Sequence, residues 1–500
     1  MFCKASLIFA LCAVVSASSK DFVARRHGHI RRVHNVTRTL QSRSNCPGMS
    51  PLVQGCPVGF GAGVTGGGTA NPVYPKSNQE LVKYLADPNP QVVVLTRTFD
   101  FRGTEGPAFM DGCAPWTTAP GCQVAINAQG TRWCDTEQPK APKLKNIRVD
   151  AAGLNPLQVS SRKTILGQGN EGVIRGKGLH LQSVDNIIIQ NILITEVNPQ
   201  AVWGGDGIDL SGASHIWIDH VTISQMGRQL FVAHKGKNTN VTISNVHFDG
   251  KTPYSSFCNG QHYWGAKFEG DDDTITFMEN HFSNFLGRAP QVGGENSKIL
   301  MHLVNNVWEG NSKFAHAVEV LQGGVVLAEG NFFADTPQVV DPTNGLYSLY
   351  TADTESKAEA CHTVLGRTCS LNLLKDSSKF DYATGSVLAD QAWRSLNIVP
   401  QAAMAAKIRG EVISNAGVGG SSAKPVPAYN ASGSGSVAAS SPDPGHATAP
   451  PQTSTSSSSS SSKGPKKGKG DHKKSKQSKG KGKGKGKGHH KKSKKQSKSI

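Results

Sequence analysis

The fold this sequence predicts is all-β: a right-handed parallel β-helix, or solenoid, with long loops, a C-terminal capping helix and a disordered C-terminal tail. Three observations predict it. Short apolar-alternating segments recur, and NIIIQNILI, HIWIDHVTI, NVTISNVHF, DTITFMENHF, KILMHLVNNVW and GVVLAEGNFF align with Asn191, His220, Asn245, Asn280, Asn306 and Asn331 in one column, at steps of 29, 25, 35, 26 and 25 residues. Each segment reads as a strand-turn-strand unit that cannot bury its inward side chains alone, whereas stacked coils bury them against one another. The column residue is asparagine in all but one segment; asparagine tolerates the left-handed conformation of a short turn, and its amide can bond to the coils above and below. Finally, a sandwich or propeller would need tight two-residue hairpins. Asp206-Gly207, Asp249-Gly250 and Asn259-Gly260 each open a longer loop instead.

Taken in order, residues 1–17 have a lysine near the start, an apolar run from Leu7 to Val15 and small residues at Val15-Ser16-Ala17. This is the pattern of a secretory signal peptide, and the run is far short of the roughly 20 residues that span a bilayer. Residues 18–45 are basic and irregular, an arm or propeptide. From Cys46 to Pro142 come glycine-rich loops, one strand candidate in QVVVLTRTF, and a cysteine cluster holding Trp116 and Trp133. The repeats follow. Between Pro337 and Leu374 the repeat gives way to loops, and the alanine-rich segment Val399 to Ile408 predicts a helix that covers an open end of the solenoid. The folded domain is expected over 46–419. Residues 420–462 are a Ser/Pro/Ala-rich linker, and 463–500 a Lys/Gly-rich tail in which nothing can be buried.

The net charge of +18 on 500 residues suggests a nucleic-acid binder until it is located. The tail from Lys463 carries +16, residues 18–45 carry +6 and Lys4 adds one, so the body between Cys46 and Gly419 is left at −5. A basic tail on an exported protein points to a tether on acidic wall polysaccharide rather than to nucleic acid or membrane. Export also sets how the cysteines read. Eight remain once Cys3 and Cys12 leave with the signal, enough for four disulfides in an oxidising compartment. Asn35, Asn240 and Asn430 sit in N-x-[ST] sequons and are glycan acceptors where exposed.

Three charged residues stand out in the repeat region: Asp206 in WGGD, Arg228 in MGRQ and Arg288 in LGRAP, spaced by 22 and 60 residues. With coils near 25 residues, Asp206 and Arg228 fall on neighbouring coils and Arg288 two further on, so all three can face one groove. Taken singly they would be a turn carboxylate and two solvated surface cations; only their joint register suggests chemistry. His220 and Asp219 in WIDH look catalytic, but the column assigns His220 a buried structural place. The acidic run Asp271 to Asp273 reads as an exposed turn, since it lacks calcium ligands at alternate positions.

From about Cys113 to Gly419 the chain resembles the pectin lyases, a branch of the pectin/pectate lyase family of polysaccharide lyases, with WGGD, WIDHVT, GRQ, HYW and GR-x-P in family order and spacing. The resemblance implies an endo-acting, metal-free pectin lyase that cleaves methyl-esterified homogalacturonan by β-elimination, secreted and monomeric. It implies that Arg288 takes the C5 proton. Arg228 would stand where pectate lyases place a calcium-binding carboxylate, and Asp206 would orient Arg228. Trp203, Tyr263 and Trp264 match aromatic positions of the cleft, and the loop with Trp116 and Trp133 forms one of its walls. The disulfides it implies are Cys113 to Cys134, Cys122 to Cys258 and Cys361 to Cys369, which leaves Cys46 to pair with Cys56. One departure concerns substrate: Gln291 stands where pectin lyases commonly carry a lysine. An arginine base is chemically demanding, because the free guanidinium has a pKa above about 12, and bringing it to about 8 requires roughly 6 kcal/mol. The competing readings are a calcium-dependent pectate lyase and an inactive solenoid that only binds wall polysaccharide.

Overall fold

In the computed structural model, which describes residues 46–128, 130–311, 316–341, 348–380, 387, 393 and 401–420, successive strands of the chain go to three different sheets in rotation. One coil shows the rule: Ser214–Asp219 lies in a ten-stranded sheet, Thr222–Met226 in a nine-stranded sheet and Phe231–Ala233 in an eight-stranded sheet, before Thr239–Ser244 re-enters the first. Every pairing in these three sheets is parallel and in register, as in Ile216↔Val241 and Ile218↔Ile243. This is the parallel β-helix, wound in the right-handed sense that parallel crossovers take. A fourth, four-stranded sheet of Pro107–Cys113, Val124–Ile126, Lys143–Asp150 and Ala201–Val202 contains the antiparallel pairings and joins the solenoid at Ala201–Val202. Among the described residues no helix is long and apolar enough to cross a membrane.

Register makes like stack on like inside the tube. Phe248, Phe282, Trp308 and Phe333 occupy equivalent positions of successive coils, with ring centroids 4.5, 5.6 and 4.3 Å apart and planes within 8° of parallel. Strand spacing in a sheet, about 4.8 Å, matches the offset-stacking distance of aromatic rings, so a repeated aromatic serves the core without adjustment. The N-terminal end is closed by the helix Asn78–Ala86, whose Leu81 and Leu85 are fully buried in the main core. Ser77 caps it by accepting from the Glu80 N–H.

The asparagine column resolves into two positions. The two residues between a first-sheet and a second-sheet strand play different parts. The first is left-handed: Asn191, His220, Asn245, Glu279, Asn305 and Gly330, with φ between 50° and 64°. The second points inward: Ile192, Val221 and Val246, then Asn280, Asn306, Asn331 and Asn372. The aligned column therefore slips by one residue after Asn245. The ladder lies at the second position, where Asn280 Nδ2 donates to Asn306 Oδ1 at 3.0 Å, Asn306 to Asn331 at 3.1 Å and Asn331 to Asn372 at 3.0 Å. The same Oδ1 atoms accept the backbone N–H of the coil below. His220 is buried, with Nδ1 2.6 Å from Asp219 Oδ2, in keeping with a structural place.

Several local expectations are corrected. The repeat does not end at Pro337: Gln338–Val340, Leu349–Thr351 and Leu373–Lys375 complete another coil, with Asn372 in the ladder. The C-terminal helix is Ala405–Asn415 rather than 399–408, because Asn305 binds the backbone of Ala403 on both sides, accepting from its N–H at 2.8 Å and donating to its C=O at 2.9 Å. It packs Ile408 and Val412 on Val307, Phe332 and Ala334, so it covers the flank of the second sheet rather than an end. Asp271 is exposed as expected, but Asp273 is buried, opens the strand Asp273–Met278, and accepts from the Asn238 N–H at 2.8 Å. Burial pushes its carboxyl up to about 7. All four disulfides have the implied pairing. The leader, the basic arm with Asn35, the linker with Asn430 and the lysine tail lie outside the described residues.

Replacing Asn306 by alanine leaves the Asn280 N–H without its acceptor and removes the amide that donates to Phe277 O and to Asn331 Oδ1, all in a dry interior. Chemical denaturation should show a loss of about 2–4 kcal/mol, at the upper end for buried unsatisfied groups. Asn245→Ala, at the more accessible first turn position, should cost less.

Candidate active site

The turn entering each third-sheet strand is where the three charged residues meet. The Arg228 N–H donates to Gly205 O at 3.1 Å, the Gln229 N–H to Asp206 Oδ1 at 2.7 Å, and the Ala266 N–H to Arg288 O at 2.6 Å. Asp206 and Arg228 thus sit on adjacent coils, with Arg288 two coils beyond Arg228, as the spacing predicts. The glycines of WGGD and MGRQ allow this proximity. A Cβ on Gly205 (φ 137°) would lie 2.3 Å from Gly153 O, and one on Gly227 would lie 2.5 Å from Ala201 O. Trp203 and Arg288 themselves adopt φ of 73° and 48°, a left-handed conformation that side-chain-bearing residues keep only where surroundings enforce it.

Each cation lies on an aromatic face. The Arg228 guanidinium is 3.7 Å above the Trp203 ring, and that of Arg288 is 4.8 Å from Trp264 and 5.6 Å from Tyr263. Arg228 is buried, and burial brings its pKa down to about 10, with Asp206 opposing and Arg288 adding to the fall. Burial holds the Asp206 carboxyl above the usual range while Arg228 pulls it back. Arg228 Nε, and Arg288 Nε and Nη1, are buried without a protein partner. Buried donors are rarely left so unless a ligand completes them. Trp203, Asp206, Arg228 and His234 line one cavity of about 120 Å³. A larger one of about 510 Å³, beside Arg102 and Glu196, contains none of the candidate residues and lacks aromatic walls.

A family model described as pectate lyase matches residues 140–420. The chain belongs to the pectate lyase family. Among curated relatives of this lyase, "Probable pectin lyase A" of Aspergillus fumigatus is 44% identical over 77% of this chain and 97% of that protein. "Pectin lyase B" of Emericella nidulans is 45% identical over 73% and 94%. Among solved structures, pectate lyase II of Xanthomonas campestris aligns at 20% identity and a TM-score of 0.46, covering 74% of this chain and all of that one.

Beyond the arginines, the lyase places the predicted aromatics in one cluster. Trp116 lies 6.5 Å from Trp133 and 6.4 Å from Trp264, and Tyr263 lies 5.0 Å from Trp264. Trp116, Trp133, Trp203 and Tyr263 are half-buried. Trp264 is not a lining surface: it is 3% exposed, with its indole N–H on Gln123 Oε1 at 3.1 Å, so it supports Arg288 from beneath. Asn240 is half-buried, its amide 3.1 Å from His215 Nε2.

Sequence reasoning missed Lys267 and the row in which it stands with Gln291. The outward row of the third sheet runs Asp209, Val232, Lys267, Gln291, Glu319 on successive coils. Burial, with Arg288 nearby, brings Lys267 down to about 8 against the pull of Glu269, whose Oε2 is 2.5 Å from Nζ. Burial opposes ionisation of Glu269, but His234, at 3.0 Å, and Lys267 outweigh it and hold the carboxyl well below its ordinary range. The signal was the alternation itself, since a lysine between the apolar Ala266 and Phe268 must face outward.

His262 holds the site from below, donating from Nε2 to Arg228 O at 2.7 Å, and burial brings its pKa down to about 4. A histidine held neutral in the fold and protonated when unfolded stabilises fully above its unfolded pKa of 6.5, and this contribution is lost as pH falls toward 4. Unfolding free energy should therefore fall across that window by up to about 3 kcal/mol through this group. Unfolding curves of His262→Gln, which keeps a donor but cannot titrate, should show a correspondingly shallower decline.

Proposed function

We infer that this chain is a pectin lyase, a carbon–oxygen lyase that cleaves methyl-esterified homogalacturonan by β-elimination to oligogalacturonates unsaturated between C4 and C5. The observation that carries the reading is Arg228: a guanidinium stacked on Trp203, in one cavity with Asp206, and near enough to Arg288 to feel its charge. Elimination requires a base at C5, positive charge where the C6 ester oxygen gains electron density, and release of the C4–O bond. Arg288, in its neutral form, takes the C5 proton through one of its unpartnered nitrogens; the C5–H electrons become the C4–C5 double bond, and the C4 oxygen leaves to be protonated. Arg228 holds the developing enolate. Asp206 acts on Arg228 through its charge and, through Oδ1, accepts the Gln229 backbone N–H.

The donor set does not suit calcium, which takes six to eight oxygens. Asp206 offers a carboxylate already engaged by a backbone N–H and flanked by Arg228, whose fixed positive charge repels a second cation. An ester, unlike a free uronate, has no charge with which to bridge to a metal, so a guanidinium is the matching electrophile. Burial first, and the charge of Arg288 beside it, favour the deprotonated state of Arg228 and of Lys267.

Export rests on the signal-like first 17 residues and on four disulfides, which persist in oxidising compartments. The lysine tail then acts as an electrostatic tether to de-esterified wall polymer through the Ser/Pro/Ala-rich segment that precedes it. Deleting residues 463–500 should abolish retention on polygalacturonate at low ionic strength and leave release of unsaturated product from soluble pectin unchanged.

Ultraviolet assay of unsaturated product on highly esterified pectin tests the mechanism. Activity should survive a chelator and rise toward alkaline pH. Arg288→Ala should lose about 10²–10⁴-fold in kcat, the usual range for general-base loss. Arg228→Ala should lose about 10²–10³-fold, the scale of one oxyanion donor. Abolition by the chelator would return the reading to a calcium-dependent pectate lyase, and undiminished binding with no product in the wild type would make the solenoid an inactive binder.

A further inference from the structure

We propose that the cavity between Trp203, Asp209 and His234 is a subsite that reads the ring hydroxyls of a galacturonate unit next to the one whose C5 faces Arg288. This rests on the pectin lyase reading and adds to it the residues that recognise the sugar apart from its ester. Asp206 and Arg228 line the same cavity. At about 120 Å³ it is well below the roughly 300–1,000 Å³ that encloses a drug-sized ligand, so it admits one edge of a ring.

Its place follows from the register of the third sheet. Asp209, between the buried Ile208 and Leu210, faces outward on the strand Ile208–Ser211 and pairs with Val232, on the coil of Arg228. Lys267 and Gln291 follow on the next two strands. Asp209 thus stands three strand steps, about 14 Å, from Gln291. It lies one coil before Arg228, whereas Arg288 is two coils beyond, so the unit that enters here is a neighbour of the one that loses its proton.

Unfinished polar groups show that a ligand belongs here. His180, on the preceding strand, pairs with Asp209 and holds its Oδ2, with Nδ1 at 2.9 Å, while Asp209 Oδ1 is buried without a partner. Trp203 Nε1 is buried without an acceptor, and so is the Nε of Arg228, a residue only 7% exposed. His234 is held through Nδ1, 3.0 Å from Glu269 Oε1, which leaves Nε2 for the cavity it lines. Burial opposes charge on this ring, but Glu269, Asp209 and Asp206 outweigh it and raise its pKa, so Nε2 donates wherever the ring is charged. One acceptor and several donors round a small space complement a pair of hydroxyls, since each hydroxyl both donates and accepts. A carboxylate or an ester only accepts, and would leave Asp209 Oδ1 without a donor.

The test is kcat/KM on fully methyl-esterified homogalacturonan, plain and with low, graded O-acetylation at O2 and O3, for the wild type, Asp209→Asn and His234→Gln at one pH. Acetylation turns a hydroxyl into an acceptor only, so wild-type kcat/KM should fall with acetyl content. In Asp209→Asn the remaining oxygen keeps His180 while an amide replaces the free acceptor. This variant should lose about tenfold on the plain polymer, largely through KM, the scale of one hydrogen bond to a charged group, and acetylation should then cost it correspondingly less. His234→Gln should shift the same ratio in the same direction, and it reports even if Asp209→Asn disturbs folding, which unfolding midpoints would reveal. A change that merely loosens the fold lowers activity on both polymers alike. Equal sensitivity to acetylation in all three proteins, with product from the plain polymer, overturns the subsite alone. No product from the plain polymer in the wild type overturns the pectin lyase reading and the subsite with it.

Discussion

Parallel pairing of each coil with the next, without slippage, is the constraint on which this structure rests. A one-residue shift in any strand would exchange its inward and outward faces, and the site would lose its geometry along with the core. Inside the tube that register is reinforced by repetition of kind: Ile216 beneath Val241, Phe282 beneath Trp308, Asn306 beneath Asn331. Outside it, the same register draws up functional rows. Lys267, Gln291 and Glu319 are neighbours because their strands are paired, though 24 and 28 residues separate them along the chain. The core and the trench floor are thus two faces of one set of hydrogen bonds.

The floor and its rim solve an electrostatic problem that burial makes acute. Several cations must share a partly dry groove, and each finds an aromatic face or a carboxylate: Arg228 on Trp203, Arg288 on Trp264 and Tyr263, Lys267 on Glu269. An aromatic face steadies a cation without presenting it a counter-charge. Carboxylates at every position would have held the guanidinium nitrogens in ion pairs. The left-handed backbone at Trp203 and Arg288 and the glycines at 205 and 227 are the local cost of bringing these groups together.

The parts of the sequence that were legible share a property: they recur, or they carry a rare residue type in a fixed frame. The six aligned segments revealed the solenoid because each coil repeats the same burial problem, and the WGGD, GRQ and GR-x-P frames marked Asp206, Arg228 and Arg288. What misled was local similarity between unlike positions. Asparagine suits both the left-handed turn residue and the inward ladder residue, so Asn245 and Asn280 aligned although they differ by one place in the coil. Alanine content marked a helix near Val399, but Asn305, far away in the chain, claims the backbone of Ala403 and delays its start. Trp264 matched a cleft position and proved to be buried support, which depends on the loop that brings Gln123 and Trp116 over it.

By itself the sequence determined the fold class, the spacing of the three charged residues and the location of the positive charge in the ends of the chain, because periodicity, spacing and composition are properties of the one-dimensional string. Only the tertiary structure decided which outward side chains share the floor with them and which carboxylates face which cations. Those relations depend on how much chain each coil uses before it returns, from 25 residues between Asn306 and Asn331 to 41 between Asn331 and Asn372, and only the folded chain shows which residue each coil returns to its partner.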